Sequence, residues 1–220
     1  MNNFGNYWNG GKSFFINRNS PLIGNPKLPY PTAYYKFEDN TDSADNTGTE
    51  MVMLDPEYGP GLLGSCLVGG SGYSVIENFS SWTLCGWFKS VGFNASGFLG
   101  IISARRINGQ LVYGATLKGD GLGGEYISFS NNINSPTYTG DNKTWYHICM
   151  SNNSGIISLY TNGKLVGTST SSQLFAKIVV QSTNNTYKTY IDEVISFGES
   201  LTQVQVLRLY NEGLGFNPLN

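Results

Sequence analysis

Three acids of this chain, Asp39, Asp42 and Asp45, recur at three-residue spacing inside the polar run 39–50. On a strand that spacing scatters carboxylates over both faces, because side chains alternate. In a loop it can wrap oxygens around a calcium ion, which takes about six to eight. The run lacks the glycine and terminal glutamate of an EF-hand, so a solvated acidic loop competes with the metal reading. Asp192 and Glu193 are adjacent and would point to opposite faces of one strand. His147 is the only histidine, which excludes a multi-histidine zinc site and leaves little room for a Ser-His-Asp device. No Gly-x-x-x-x-Gly-Lys-Ser/Thr phosphate loop is present. Cys66, Cys85 and Cys149 are odd in number, lack metal-type spacing and sit in apolar surroundings. They read as buried small hydrophobes rather than as a disulfide or a reactive thiol.

The elements that must position these groups are strands. The stretch Trp145–Gly167, WYHICMSNNSGIISLYTNGKLVG, holds three apolar runs separated by two turn signals. Asn162-Gly163 suits a two-residue type I′ hairpin, which needs positive φ at both positions. Asn152-Asn153-Ser154-Gly155 reads as a looser polar turn. Tyr146, Ile148 and Met150 would share one face, and Trp145, His147 and Cys149 the other. Neither face is polar, which predicts an antiparallel meander lying between two layers. Further strands are expected at Ala33–Glu38, Leu62–Val68, Trp82–Lys89, Phe98–Ser103, Leu111–Leu117, Tyr126–Ser130, Ile178–Gln181 and Tyr187–Phe197. In Trp82–Lys89, Cys85 and Trp87 should face one way and Leu84, Gly86 and Phe88 the other. Ser200–Tyr210 is the one expected helix, with a capping box from Ser200 to Gln203, a C-terminal cap at Gly213, and Leu201, Val204 and Leu207 with Leu209 or Tyr210 packing it on the sheets.

Composition agrees. The 220 residues include 28 glycines and 14% aromatics, which suit sheets with tight turns, and single sandwiches reach ~200–250 residues. A net charge of −2 with 13% charged residues excludes a general nucleic-acid binder, which needs a basic stripe. No apolar run approaches the ~18 residues of a membrane span. The opening MNNFGNYWNGGKSFF lacks the pattern of a secretory signal. The expectation is either a chain made and used without classical secretion, or one that reaches the outside by lysis or inside a larger assembly.

Six segments in order, YYKFED, YGPGLLGSCLVGGSGY, FSSWTLCGWFK, TWYHICM, LYTNGKLVG and YIDEVISFGESLTQVQVLRLY, carry a family likeness. Over about residues 33–212 the chain resembles the laminin-G-like branch of the concanavalin A-like lectin/glucanase superfamily. The resemblance implies an all-β, two-sheet antiparallel jelly-roll sandwich with one short C-terminal helix. The superfamily includes glycoside hydrolases, which set two carboxylates at alternate positions of one strand, ~5–5.5 Å apart when retaining. The triplet Glu-x-Asp-x-Glu is absent among the fifteen acids, so no enzyme is expected. In the family the histidine belongs to strand packing, the bland role expected of His147. Related sandwiches hold calcium with acids near the first strand and in the Ile-Asp-x-Val strand. Carried over, this implies Asp39 or Glu38 with Asp192 as ligands of a structural calcium, the one cofactor raised. The alternative is an Asp192 carboxylate that ties the terminal strands by hydrogen bonds. Sugar binding is the family's common non-enzymatic task, and Tyr113, Tyr126 and Tyr138, near turns, are its candidate stacking residues.

Residues 1–31 stand outside the resemblance. They hold Phe4, Tyr7, Trp8, Phe14 and Phe15 with four of the eight prolines, too proline-rich for a central strand and too aromatic for an ordinary disordered tail. They read as an extended arm, on its own domain or docked on a neighbouring subunit, before a sandwich over residues 32–220. Two functions are expected: a structural component of a larger assembly, best a bacteriophage virion protein made in the host cytoplasm, or a stand-alone glycan-binding adhesion module at a cell surface. The expected partners are other subunits through residues 1–31 and, in either case, glycans.

Overall fold

Apolar runs broken by glycine and asparagine turns recur along the chain, and the backbone answers them with strands. The computed structural model describes residues 8–9, 12–13, 27–44, 49–91, 98–119, 124–130, 133–136, 138–139, 144–182 and 188–210. Their elements are β1 (Trp8–Asn9), β2 (Lys12–Ser13), β3 (Ala33–Tyr35), β4 (Val52–Pro60), β5 (Ser65–Phe79), β6 (Trp82–Val91), β7 (Phe98–Arg105), β8 (Leu111–Gly119), β9 (Gly124–Phe129), β10 (Ile133–Asn134), β11 (Tyr138–Thr139), β12 (Tyr146–Asn153), β13 (Ile156–Thr161), β14 (Lys164–Thr170), β15 (Phe175–Gln181), β16 (Lys188–Phe197) and α1 (Gln203–Tyr210).

Two antiparallel layers result. One runs β10-β9-β8-β7-β15-β5-β4, the other β14-β13-β12-β6-β16-β3. β5 joins both, pairing Tyr73 with Val179 of β15 and Leu67 with Ile191 of β16. Between the layers, Ile102, Ala104, Ile178 and Val180 meet Leu84, Phe88, Ile148 and Met150 in one buried cluster. Each large side chain there contributes about 1.5–3 kcal/mol by leaving water. A second cluster covers the outer face of the β6-β12-β16 layer, where Cys85, Cys149, Tyr160, Ile195 and Phe197 lie under Leu201, Val206 and Leu209. Of the meander, β12 is therefore covered on both faces, as expected, whereas β14 at its edge is exposed or half-buried throughout. Asn162 and Gly163 take φ of 49° and 71°, the hairpin geometry their identities predict.

Several expectations need correction. The turn at 152–155 is tight, with Ser154 and Gly155 at φ of 48° and 107° and the Asn152 side chain accepting the Gly155 amide at 2.9 Å. The short strand expected at Leu62–Val68 is the start of the fifteen-residue β5, and β4 was not expected at all. The glycine density of residues 56–72 points to turns on either side of a short strand. Gly70 (φ 95°) serves a close approach instead, since a Cβ there would meet the Leu54 carbonyl oxygen at 2.6 Å. β4 accommodates Pro56 beside register shifts, where proline is tolerated.

The helix starts later than expected. Its capping box is Thr202 with Gln205: the Gln205 amide donates to Thr202 Oγ1 at 3.4 Å and the Thr202 amide to Gln205 Oε1 at 2.9 Å. Val206 and Leu209 face the sheet, whereas Val204 is exposed. Gly213 lies outside the described residues. The cysteines differ too. Cys85 and Cys149 are direct cross-strand partners and form a disulfide. Cys66 alone is free, buried, with burial pushing its thiol up to about 12.

Of the arm residues, Phe4, Tyr7, Phe14 and Phe15 lie outside the described residues, and of Trp8 only the backbone in β1 is described. Residues 27–31 lie against the sandwich: Leu28 joins the cluster under the helix, and Gln205 Nε2 donates to the Lys27 carbonyl at 3.0 Å.

Candidate functional site

Asp192 is buried and Asp39 exposed, in different surroundings. β16 bulges after Asp192, and the buried Asp192 carboxylate turns to the 61–64 turn. Its Oδ2 accepts the amides of Leu62 and Leu63 at 2.8 and 3.3 Å, and its Oδ1 accepts that of Glu193 at 2.8 Å. Glu38 braces the same turn, accepting the Ser65 amide at 2.9 Å. Asp39 is exposed with φ of 58°, and Asp45 lies outside the described residues. Among the described residues, no group of three or more His, Cys, Asp or Glu side chains could hold a metal ion. The donors face amide hydrogens, so Asp192 ties the terminal strand to the turn, the alternative raised from the sequence. Burial pushes its carboxyl up to about 7. Glu193, at φ of 52°, reaches Tyr34, whose hydroxyl donates to its carboxylate; burial pushes it up to about 8.

His147 is structural. Its ring packs 5.1 Å from that of Trp87 and 6.1 Å from that of Tyr210, and burial lowers its pKa to about 3, so it is neutral near pH 7. Of the candidate stacking residues, Tyr113 is 1% exposed and donates to the Ser130 carbonyl at 2.5 Å. It packs in the buried cluster between the layers rather than on the surface. Tyr126 is half-buried, and the Tyr138 side chain lies outside the described residues. Register places Tyr138 opposite Glu125, the neighbour of Tyr126 in β9.

The surface feature with binding chemistry lies elsewhere, on the outer face of the β7-β15-β5-β4 layer. Register places Ser103 beside Val179, Val179 beside Tyr73 and Tyr73 beside Val52. In the next row Arg105 stands opposite Lys177. Of these, Val52, Tyr73, Val179, Arg105 and Lys177, with Leu54 and Ser71, line a groove of about 470 Å³, within the ~300–1,000 Å³ usual for small ligands. Tyr73 is 40% exposed, Val52 57% and Leu54 67%. Lys177 Nζ lies 4.5 Å from the Tyr73 ring centroid. The lining contains no carboxylate, histidine or cysteine, so it can hold a ligand but offers no acid–base pair. Sequence reasoning missed this groove because it places no strand over β4 or over residues 69–79 of β5. The alternation Ser71, Tyr73, Val75 was the available signal.

Residues 69–207 match the family model described as the Concanavalin A-like lectin/glucanases superfamily. The chain belongs to this superfamily. Among solved structures, the binding domain of Paraclostridial Mosquitocidal Protein 1 superposes with a TM-score of 0.62 at 14% identity, over 83% of this chain and 52% of that one. The binding domain of botulinum neurotoxin DC, in complex with SialylT, gives 0.58 at 15%, over 85% and 52%. This lectin/glucanase-superfamily chain thus spans about half the length of these toxin domains. Domain 4 of AbnA, a GH43 extracellular arabinanase from Geobacillus stearothermophilus, in complex with arabinotriose, gives 0.56 at 17%, over 81% and 97%. At these identities the likeness is one of fold. No curated protein matches the superfamily member in sequence. No helix among its described residues is long and apolar enough to cross a membrane.

Proposed function

We propose that this protein is a non-enzymatic glycan-binding module and that the groove around Tyr73 is its sugar site. The observation that carries the reading is the exposed Tyr73 side chain set among Val52, Leu54 and Val179 in an open groove. Aromatic and aliphatic surface suits the apolar face of a sugar ring, while hydroxyls and cations alongside suit its oxygens. Two similar folds, the neurotoxin DC binding domain with SialylT and the arabinanase domain with arabinotriose, hold carbohydrate ligands, which supports the reading. A glycan panel tested against the full chain and its Tyr73→Ala variant checks it. Binding weakened tenfold or more in the variant is expected; no binding at all, or binding untouched by the substitution, overturns it. Release of reducing sugar from polysaccharides would overturn the non-enzymatic part.

A second reading, display on a larger assembly such as a bacteriophage particle, draws on the aromatic and proline-rich composition of residues 1–31 and is compatible with the first. Light scattering on the chain with and without residues 1–26 tests it. A monomer in both forms, with assembly unaffected, removes it.

A further inference from the structure

We propose that the groove selects an acidic sugar, a pyranose ring bearing a carboxylate, and that Arg105 and Lys177 receive that carboxylate. The proposal rests on the glycan-binding reading of the same groove and narrows its ligand class.

The first observation is the register. Lys177 of β15 stands directly opposite Arg105 of β7. Both are half-buried, while Ala104 and Ile178 between them and the core are buried, so the two cations share the outer face. Like charges directly opposite on a sheet repel, and an acid placed among them would relieve that repulsion. The lining supplies none. The acids of the neighbouring strands, Glu77 on β5 and Asp55 and Glu57 on β4, lie outside it. Charge complementarity therefore calls for an anion from outside.

The second observation is that Arg105 is held in place. Its Nε donates to Ser103 Oγ at 3.2 Å and its Nη1 to the Gly109 carbonyl at 2.9 Å. The carbonyl comes from the 106–110 hairpin, which Gly109 closes at φ of 85°. Both Nη2 hydrogens remain without an acceptor among the described residues. A guanidinium fixed along one edge, with donors left over, is preorganised for the oxygens of a carboxylate.

The third observation separates a sugar acid from a bare anion. Lys177 leans on the Tyr73 ring rather than on a carboxylate, and Val52, Leu54 and Val179 extend the surface beside that ring. An inorganic anion has no use for this apolar half of the groove. An acidic protein partner would need about 1,200 Å² or more of matched surface, far beyond one groove. A ring with an apolar face and a carboxylate at one edge uses both halves.

Calorimetric titration of the full chain with matched pairs tests the proposal. Oligogalacturonate is compared with its methyl ester, and sialyllactose with lactose, so that uronic and nonulosonic acids form separate arms. In at least one arm the acid should bind tenfold or more tighter than its uncharged counterpart. That advantage should shrink with added salt and vanish in Arg105→Gln and Lys177→Gln, whose folding is checked by thermal melting. Equal binding of acid and neutral partners overturns the acid selectivity and leaves glycan binding standing. Acid preference undiminished in both variants overturns the assignment to these residues. Failure of every sugar, acidic and neutral, overturns the glycan reading together with this one.

Discussion

The Asp192 carboxylate accepts the Leu62 amide at 2.8 Å, joining two residues 130 apart in the chain. This bond couples the last strand to the turn that opens β5. It sits next to a second buried acid, Glu193, on the same backbone bulge.

These two acids make stability fall as pH rises. Unfolded carboxyls ionise near pH ~4, whereas burial holds the folded Asp192 and Glu193 protonated up to about 7 and about 8. The folded state therefore binds more protons between those limits. Its extra stability is complete below the unfolded pKa and is lost as pH climbs through 7 to 8. Each group can supply at most about 1.4 kcal/mol per pH unit. Denaturant midpoints should be lower at pH 8.5 than at pH 6.5, and Glu193→Gln should flatten the slope. Equal midpoints at the two pH values would refute the assignment.

His147 acts at the other end. An unfolded histidine takes a proton near pH ~6.5, but burial holds the folded His147 neutral down to about 3. Its contribution is present above pH ~6.5 and is lost as pH falls toward 3. Between about pH 6.5 and 4 it opposes the two acids. Below pH ~4, where those carboxyls are protonated in both states, it acts alone among the three. Wild-type stability should drop from pH 4 to pH 3, and His147→Phe should reduce that drop. A drop of the same size in the variant would show that another group causes it.

Much of the sandwich was legible because its signals are local. Asn162-Gly163 needs only its own identity to call for a hairpin, and the facing of Cys85 against Leu84 follows from alternation alone. What was hidden depends on register. Ser200 and Gln203 have the same spacing as Thr202 and Gln205, and only the burial of Leu201 decides which pair caps the helix. Cys85 and Cys149 look unpaired until β6 and β12 align them. Tyr73, Arg105 and Lys177 come from three strands far apart in sequence. Their grouping, and the opposition of two cations within it, exists only once the sheet is formed.

The disulfide has a direct chemical check. Cys85 and Cys149 are 64 residues apart, and a link of that span adds about 2–4 kcal/mol by restricting the unfolded chain. Thiol titration of the unfolded, unreduced chain should find one reactive group, Cys66. Reduction or Cys85→Ala with Cys149→Ala should lower Tm by roughly 5–15 °C at this chain length. Three titratable thiols without reductant would mean the bridge does not form.

Gly163 joins the central hairpin to the helix. Its φ of 71° disfavours any side chain, and a Cβ there would lie 2.8 Å from Leu207 and 3.1 Å from Tyr210. Gly109 has a similar φ of 85° with open space around it, so it isolates the backbone cost, about 1–2 kcal/mol. Gly163→Ala should therefore destabilise more than Gly109→Ala. It should also change tryptophan fluorescence, because the Tyr210 ring stacks 5.6 Å from Trp87. Equal losses in the two variants would remove the helix contact from the explanation.

Where the sandwich begins can be measured by truncation. The form without residues 1–26 serves as the reference, and the form without residues 1–31 should melt lower. That cut takes away Leu28, buried with Leu201 and Val206 under the helix, and the Lys27 carbonyl that receives Gln205. Burial of one leucine contributes about 1.5–3 kcal/mol and a net hydrogen bond about 1 kcal/mol, so the longer cut should cost about 2–4 kcal/mol. Thr32 stays in either form, its amide donating to the Ser196 carbonyl at 2.8 Å, so β3 remains tethered to β16. Equal melting temperatures for the two truncations would place the start of the folded body after residue 31; a large loss from the shorter cut alone would show that the arm itself helps hold the sandwich.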